Sequence, residues 1–193
     1  KDELSKVKKF ITEAAIDLSG DDASKIRTLE NHIKNTIYIT NTGGDQLSDV
    51  GFVLENKAAD ETGIIRLFAN SLKELDIPFE IVLTCDRSEM KFDPEIEALS
   101  FLQDYLLYFP TTKKYLAPGK QESRYGFPPF EYTDTYGLFV KEVSLGKLSS
   151  GVGKVKYIES PDAAASVDEM NYKVTFDPED LTEVRIDFDH AIS

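Results

Sequence analysis

Apolar residues recur at spacings of three and four over the first third of the chain. Val7, Phe10, Ile11, Ala14, Ala15 and Leu18 share one side of a helix predicted over 2–19. Ile26, Leu29, Ile33 and Ile37 make the same stripe over 23–37, after the stop Ser19-Gly20-Asp21-Asp22. Leu47, Val50, Val53 and Leu54 do so over 46–56, beyond the short β-prone piece Tyr38-Ile39-Thr40 and the loop Asn41 to Asp45. In 60–76 the apolar positions Ile64, Ile65, Leu67, Phe68, Leu72 and Leu75 cover much of the circumference, which predicts a deeply buried helix.

The period then changes. Phe79 to Thr84, just after Pro78, is apolar except at Glu80 and Thr84 and reads as a central strand. Leu102 to Phe109, Lys114 to Leu116 and Tyr136 to Val143 are further β-prone runs, separated by an irregular acidic stretch at 86–99 and a Pro/Gly/aromatic loop from Ala117 to Thr135. Residues 159–168 form a small-residue linker with Pro161 and three consecutive alanines. Within 169–193, the segments 171–176 and 183–188 alternate polar and apolar around the turn Asp177-Pro178-Glu179-Asp180, the pattern of a hairpin with one buried face. The pattern predicts an α+β fold of N-terminal helices on a small antiparallel sheet, followed by a β hairpin that opens a further β domain.

The chain has 193 residues, 41% hydrophobic and 11% aromatic, enough to bury a real core. A net charge of −13 repels phosphate backbones and anionic lipid, which excludes nucleic acid and membrane surfaces as partners. No stretch approaches the ~18 apolar residues of a membrane helix. The single Cys85 excludes an intrachain disulfide framework and a cysteine-rich zinc site. Lys1 is not a natural start residue, so the chain is expected to be a fragment of a longer protein, and the missing leader is no argument about export.

The segment from Glu61 to Pro78, with Leu67-Phe68, Leu72, Leu75 and Ile77-Pro78, resembles the nucleophile helix of the transglutaminase-like, papain-like superfamily; Asp76 stands where Gly is usual. Phe101 to Phe109 resembles that family's histidine strand, and Lys114-Tyr-Leu-Ala-Pro118 its aspartate strand. Tyr125-Gly-Phe-Pro-Pro129 and Tyr136 to Val140 resemble the next segment of bacterial proteins in which such a domain is set between two β domains. The resemblance covers 22–145 and implies a degenerate transglutaminase-like domain over 1–158. It also implies a periplasmic or cell-surface location, with flanking β domains of the same protein as neighbours.

The family's chemistry needs a thiolate to attack a carbonyl, an imidazole to shuttle the proton and a carboxylate to orient the imidazole. At those positions the resemblance puts Glu61 (or Ala58, one turn earlier), Asp104 and Ala117. None can perform the assigned role, which implies a pseudoenzyme without cofactor or metal. The expected function is a non-catalytic binding or scaffold module that contacts polypeptide or cell-envelope glycan. The alternative is a hydrolase or transferase with altered chemistry, using Glu61 and Asp104 as a carboxylate pair or Cys85 with His32 or His190. A third reading is a spacer between two β domains.

Tyr105, Tyr125, Phe127, Tyr132 and Tyr136, among eight aromatic residues crowded around Pro128-Pro129, are the candidate ligand-binding side chains of a stiff groove; core packing is the competing reading. Asp177, Glu179 and Asp180 lack the spacing of a calcium loop and read as a solvated turn. Ser149 to Lys154 lacks the gap and the hydroxyl of a phosphate loop.

Overall fold

The amphipathic segments form helices α1 (Asp2–Glu13), α2 (Asp22–Thr36), α3 (Val50–Asn56) and α4 (Glu61–Glu74). The computed structural model describes residues 2–17, 19–90, 92–95, 101–145, 148–162, 167–180 and 182–192. The chain divides into two units, Lys1–Glu159 and Ser160–Ser193.

In the first unit, strands β3 (Glu80–Thr84), β4 (Asp104–Phe109), β5 (Lys114–Leu116), β6 (Thr135–Leu145) and β7 (Leu148–Ile158) make an antiparallel sheet in the order β5-β4-β3-β6-β7. A separate parallel bridge joins β1 (Tyr38–Ile39) to β2 (Ala58–Ala59). The second unit holds the hairpin of β8 (Asp168–Phe176) and β9 (Val184–Ile192). The α+β class with antiparallel sheets is therefore as expected.

Register sorts the main sheet's side chains. Leu107 and Phe109 of β4 join α2 and α4 in the main core, which contains Leu29, Ile33, Leu67, Phe68 and Leu72. Val82, paired with Leu106 and Phe139, faces the other way into a smaller cluster with Ala117, Tyr132 and Ile158. Alternation along each strand produces this division, with period two.

Several boundaries differ from the sequence pattern. The first helix stops at Glu13 because Ala15 turns left-handed (φ 50°), while the Asp17 carboxylate holds the Ser19 amide; Leu18 lies outside the described residues. The stretch 46–56 splits into a 3-10 turn, Asp45–Ser48, and α3, since Asp49 breaks the run by accepting the Phe52 N–H as N-cap. The segment 149–154 lies within β7. The hairpin strands extend beyond 171–176 and 183–188 only at the ends away from the turn, back to Asp168 and on to Ile192. Residues 91 and 96–100 of the acidic stretch and 163–166 of the linker, with its three alanines, lie outside the described residues.

Helix α4 is bounded at both ends by side-chain and backbone caps. Asp60 accepts the Gly63 N–H at 2.6 Å, and its other oxygen accepts from the Ser48 hydroxyl. Gly63 is required there, because a Cβ would stand 2.0 Å from the Leu47 carbonyl oxygen. At the far end Asp76 N–H bonds Lys73 O and Ile77 N–H bonds Leu72 O, the two bonds of a Schellman cap. Asp76 has φ 55°, so the position where the resemblance expects glycine is left-handed, and an aspartate tolerates it.

The loop after β5 is held by a buried ion pair on α2. Glu30 and Lys34 are only 1% and 4% exposed. The Lys34 ammonium lies 2.9 Å from Glu30 Oε1 and donates to the carbonyls of Lys120 (2.8 Å) and Ser123 (2.7 Å). Glu30 Oε2 accepts the Tyr125 N–H at 2.8 Å, and Gln121 donates to Lys34 O. Tyr125 then buries its ring edge-on against Phe109, 5.3 Å between centroids, with its hydroxyl on Thr112.

Lys34→Met leaves the buried Glu30 carboxylate without its counter-ion and takes a charged donor from two carbonyls, and is expected to cost about 3–5 kcal/mol of unfolding free energy. Glu30→Gln combined with Lys34→Met should recover part of that loss. A single-variant loss below about 1 kcal/mol in denaturant titration, the scale of an exposed pair, would show that the pair does not hold the loop.

Candidate functional site

The two ends of the fixed frame meet at the first turn of α4. Glu61 is its first residue and is half-buried, with its carboxyl against the backbone at Gly119: a Cβ built on Gly119 would stand 3.3 Å from Glu61 Oε1. Gly119 belongs to the loop held by Lys34 and lies two residues beyond Ala117, whose methyl is fully buried. Asp104 opens β4, and its Oδ1 accepts the Tyr132 hydroxyl at 2.7 Å. Tyr132 comes from the 3-10 turn Phe130–Tyr132, and the Lys120 ammonium sits 5.2 Å from its ring centroid.

Glu61, Asp104 and the Ala117–Gly119 segment are thus neighbours, although far apart in sequence. Burial pushes the Glu61 carboxyl above its ordinary value, and the Asp104 charge pushes it further; Lys120 partly offsets both. Burial raises the Tyr132 hydroxyl well above the ordinary phenol range, and its bond to Asp104 adds to this. The phenol therefore stays protonated and remains a donor to Asp104. This arrangement can hold or release a proton at Glu61, since two nearby carboxylates resist ionising together.

The sulfur lies elsewhere in function, though close in space. Cys85 follows β3, is buried, and donates its thiol to Met90 O at 3.2 Å. Burial pushes that thiol up, and the Asp104 and Asp86 charges add to the effect. A neutral thiol is a poor nucleophile. His32 packs its ring 4.4 Å from that of Phe10, and burial lowers its pKa. His190 lies 2.6 Å from Asp168 in the hairpin. Among the described residues, no group of three or more His, Cys, Asp or Glu is placed to hold a metal ion. No helix among them is long and apolar enough to cross a membrane.

The five aromatic candidates do not line one groove. Tyr105 packs on the main core and Tyr125 lies inside it; Tyr132 belongs to the second cluster; Tyr136 packs with Cys85, Phe92 and Leu102 in a third. Tyr125 and Tyr132 are buried because each hydroxyl finds a partner inside, on Thr112 and Asp104. Phe127 alone of the five is exposed. Phe130, 71% exposed with the Arg87 guanidinium 5.9 Å from its ring centroid, is the more open ring.

Lys120 had no motif to announce it; its position two residues after Pro118 is the only signal. A cleft of about 570 Å³ lies at the opposite end of α4, beside Ile77, Pro78, Phe79, Ile81 and Val140.

No family model, curated protein or solved structure matches this chain.

The raised Glu61 carboxyl has a definite sign in stability. The folded protein binds the extra proton, so this contribution is present below the ordinary carboxylate value of 4.5 and is lost as pH rises through the folded value. Glu61→Gln is therefore expected to gain stability relative to the native protein as pH rises from about 4 to 7. Thermal unfolding across that window tests it; a constant difference, or one of opposite slope, contradicts the raised carboxyl.

Proposed function

We propose that residues 1–158 are a transglutaminase-like domain that has lost its catalytic triad and acts as a binding or scaffold module of a larger, exported bacterial protein. The observation that carries this reading is the meeting of Glu61, Asp104 and the Ala117–Gly119 segment at the first turn of α4. The resemblance assigns a thiol, an imidazole and a carboxylate to those positions. The succession of a buried helix and then the antiparallel strands β3, β4 and β5 supports the same family. A carboxylate at Glu61 forms no thioester, and the Ala117 methyl orients no imidazole.

The binding surface in this reading is the loop beside the site, where Phe130 stands open beside Arg87 and Phe127, three residues earlier, is also exposed. Exposed aromatic rings with an arginine are the residue types that anchor protein partners. The partner class is polypeptide; the chain holds no Trp, the usual platform for a sugar ring. The periplasmic or cell-surface location and the flanking β domains rest on the resemblance alone. A second reading, acid–base chemistry at Glu61, draws on its raised carboxyl.

Incubation with glutamine-containing peptides and a primary amine tests the two readings together. The expected result is no deamidation, hydrolysis or cross-linking, while binding of an unstructured polypeptide weakens about tenfold in Phe130→Ser. Turnover that disappears in Glu61→Gln supports the second reading and contradicts the first. Absence of both turnover and Phe130-dependent binding contradicts the pair.

A further inference from the structure

The unit Ser160–Ser193 presents an amphipathic sheet with an uncovered face. Its two strands pair with each other over nine positions and with no third strand among the described residues. Directly opposed residues share a face, so Tyr172 stands with Phe188, Val174 with Ile186 and Phe176 with Val184, and Met170 extends the row. The other face is polar, with Lys173 opposite Asp187 and Thr175 opposite Arg185. The seven large apolar side chains are each about half open, from 46% at Val184 to 63% at Tyr172.

A two-stranded hairpin with a single open apolar face is marginal in water and needs a cover. Half-open side chains of this size expose roughly 100 Å² each, or roughly 700 Å² for the seven. Two such faces packed together remove roughly 1,400 Å² from water, within the ~1,200–2,000 Å² of stable specific interfaces.

We propose that the apolar face of β8 and β9 is a self-association surface, packing on the same face of a second copy about a two-fold axis. Such an interface is isologous and must be self-complementary. This face qualifies despite the net charge of −13: Lys173, Arg185 and Asp187 lie on the opposite side, and the two other titratable groups that share the apolar face with Tyr172, namely His190 and Asp168, stand at its outer end 2.6 Å from each other. The two hairpins then form a small sandwich with sheets about 10 Å apart.

Sedimentation of the full chain over a dilution series tests the proposal. The expected species has twice the 21.7 kDa mass of one chain and dissociates on dilution. Ile186→Asp should raise the dissociation constant at least about tenfold, whereas Thr175→Asp on the polar face should leave it unchanged. Isotope-filtered NMR on a mixed-label sample gives a readout independent of whether a variant hairpin folds: contacts are expected between the Tyr172 or Phe188 ring of one chain and Ile186 or Val174 methyls of the other. A monomer at every concentration overturns the proposal, whether or not the β8–β9 amides are protected. So does a dimer that is indifferent to Ile186→Asp and shows none of those intermolecular contacts.

Discussion

An ammonium and a carboxylate buried one turn apart on α2 fix where the rest of the first unit's site lies. Removing Lys34 and Glu30 from water is costly, and only complete pairing offsets the cost. The ammonium has three protons and finds three acceptors: Glu30, Lys120 O and Ser123 O. Glu30 in turn accepts the Tyr125 amide. The loop after β5 therefore has one place to lie, and that place brings Gly119 against Glu61 and Lys120 over Tyr132. The pair contributes specificity of loop position, whatever its net worth in stability.

Function follows from what the fixed loop encloses. The first turn of a helix favours negative charge, and Glu61 occupies it beside Asp60. Burial and Asp104 act against that preference and hold the carboxyl up. Tyr132 keeps its proton and neutralises none of the Asp104 charge; it only orients it. The result is a small acidic site in which Glu61 is the carboxyl held above its ordinary value. Cys85 stays a thiol under the same Asp104 field. The proposed binding role accordingly sits on the open rings beside the site and not inside it.

Much of the frame was legible because it rests on periodicity. The four helical stripes and the alternation in β8 and β9 reflect burial on one side, which a sequence displays directly. Glu61 and Asp104, far apart in sequence, come close enough for the Asp104 charge to act on Glu61. Asp49 as an N-cap inside an apolar run was a local polar competition that the stripe concealed. Glu30 and Lys34 stand four residues apart on α2, and nothing in that helix alone marks them as buried; their burial depends on a loop about ninety residues away. The aromatic loop misled for a similar reason. Crowding of rings in sequence says nothing of which cluster each ring enters, and the hydroxyl partners of Tyr125 and Tyr132 decide that in three dimensions.

The functional reading depends on Glu61 being a half-buried carboxyl under the field of Asp104 at the first turn of α4. A carboxyl-carbon NMR titration of Glu61 in the native protein and in Asp104→Asn measures this directly. The predicted native midpoint lies above the ordinary 4.5 and falls toward it when the Asp104 charge is removed. An ordinary midpoint in the native protein, unchanged by Asp104→Asn, would contradict it.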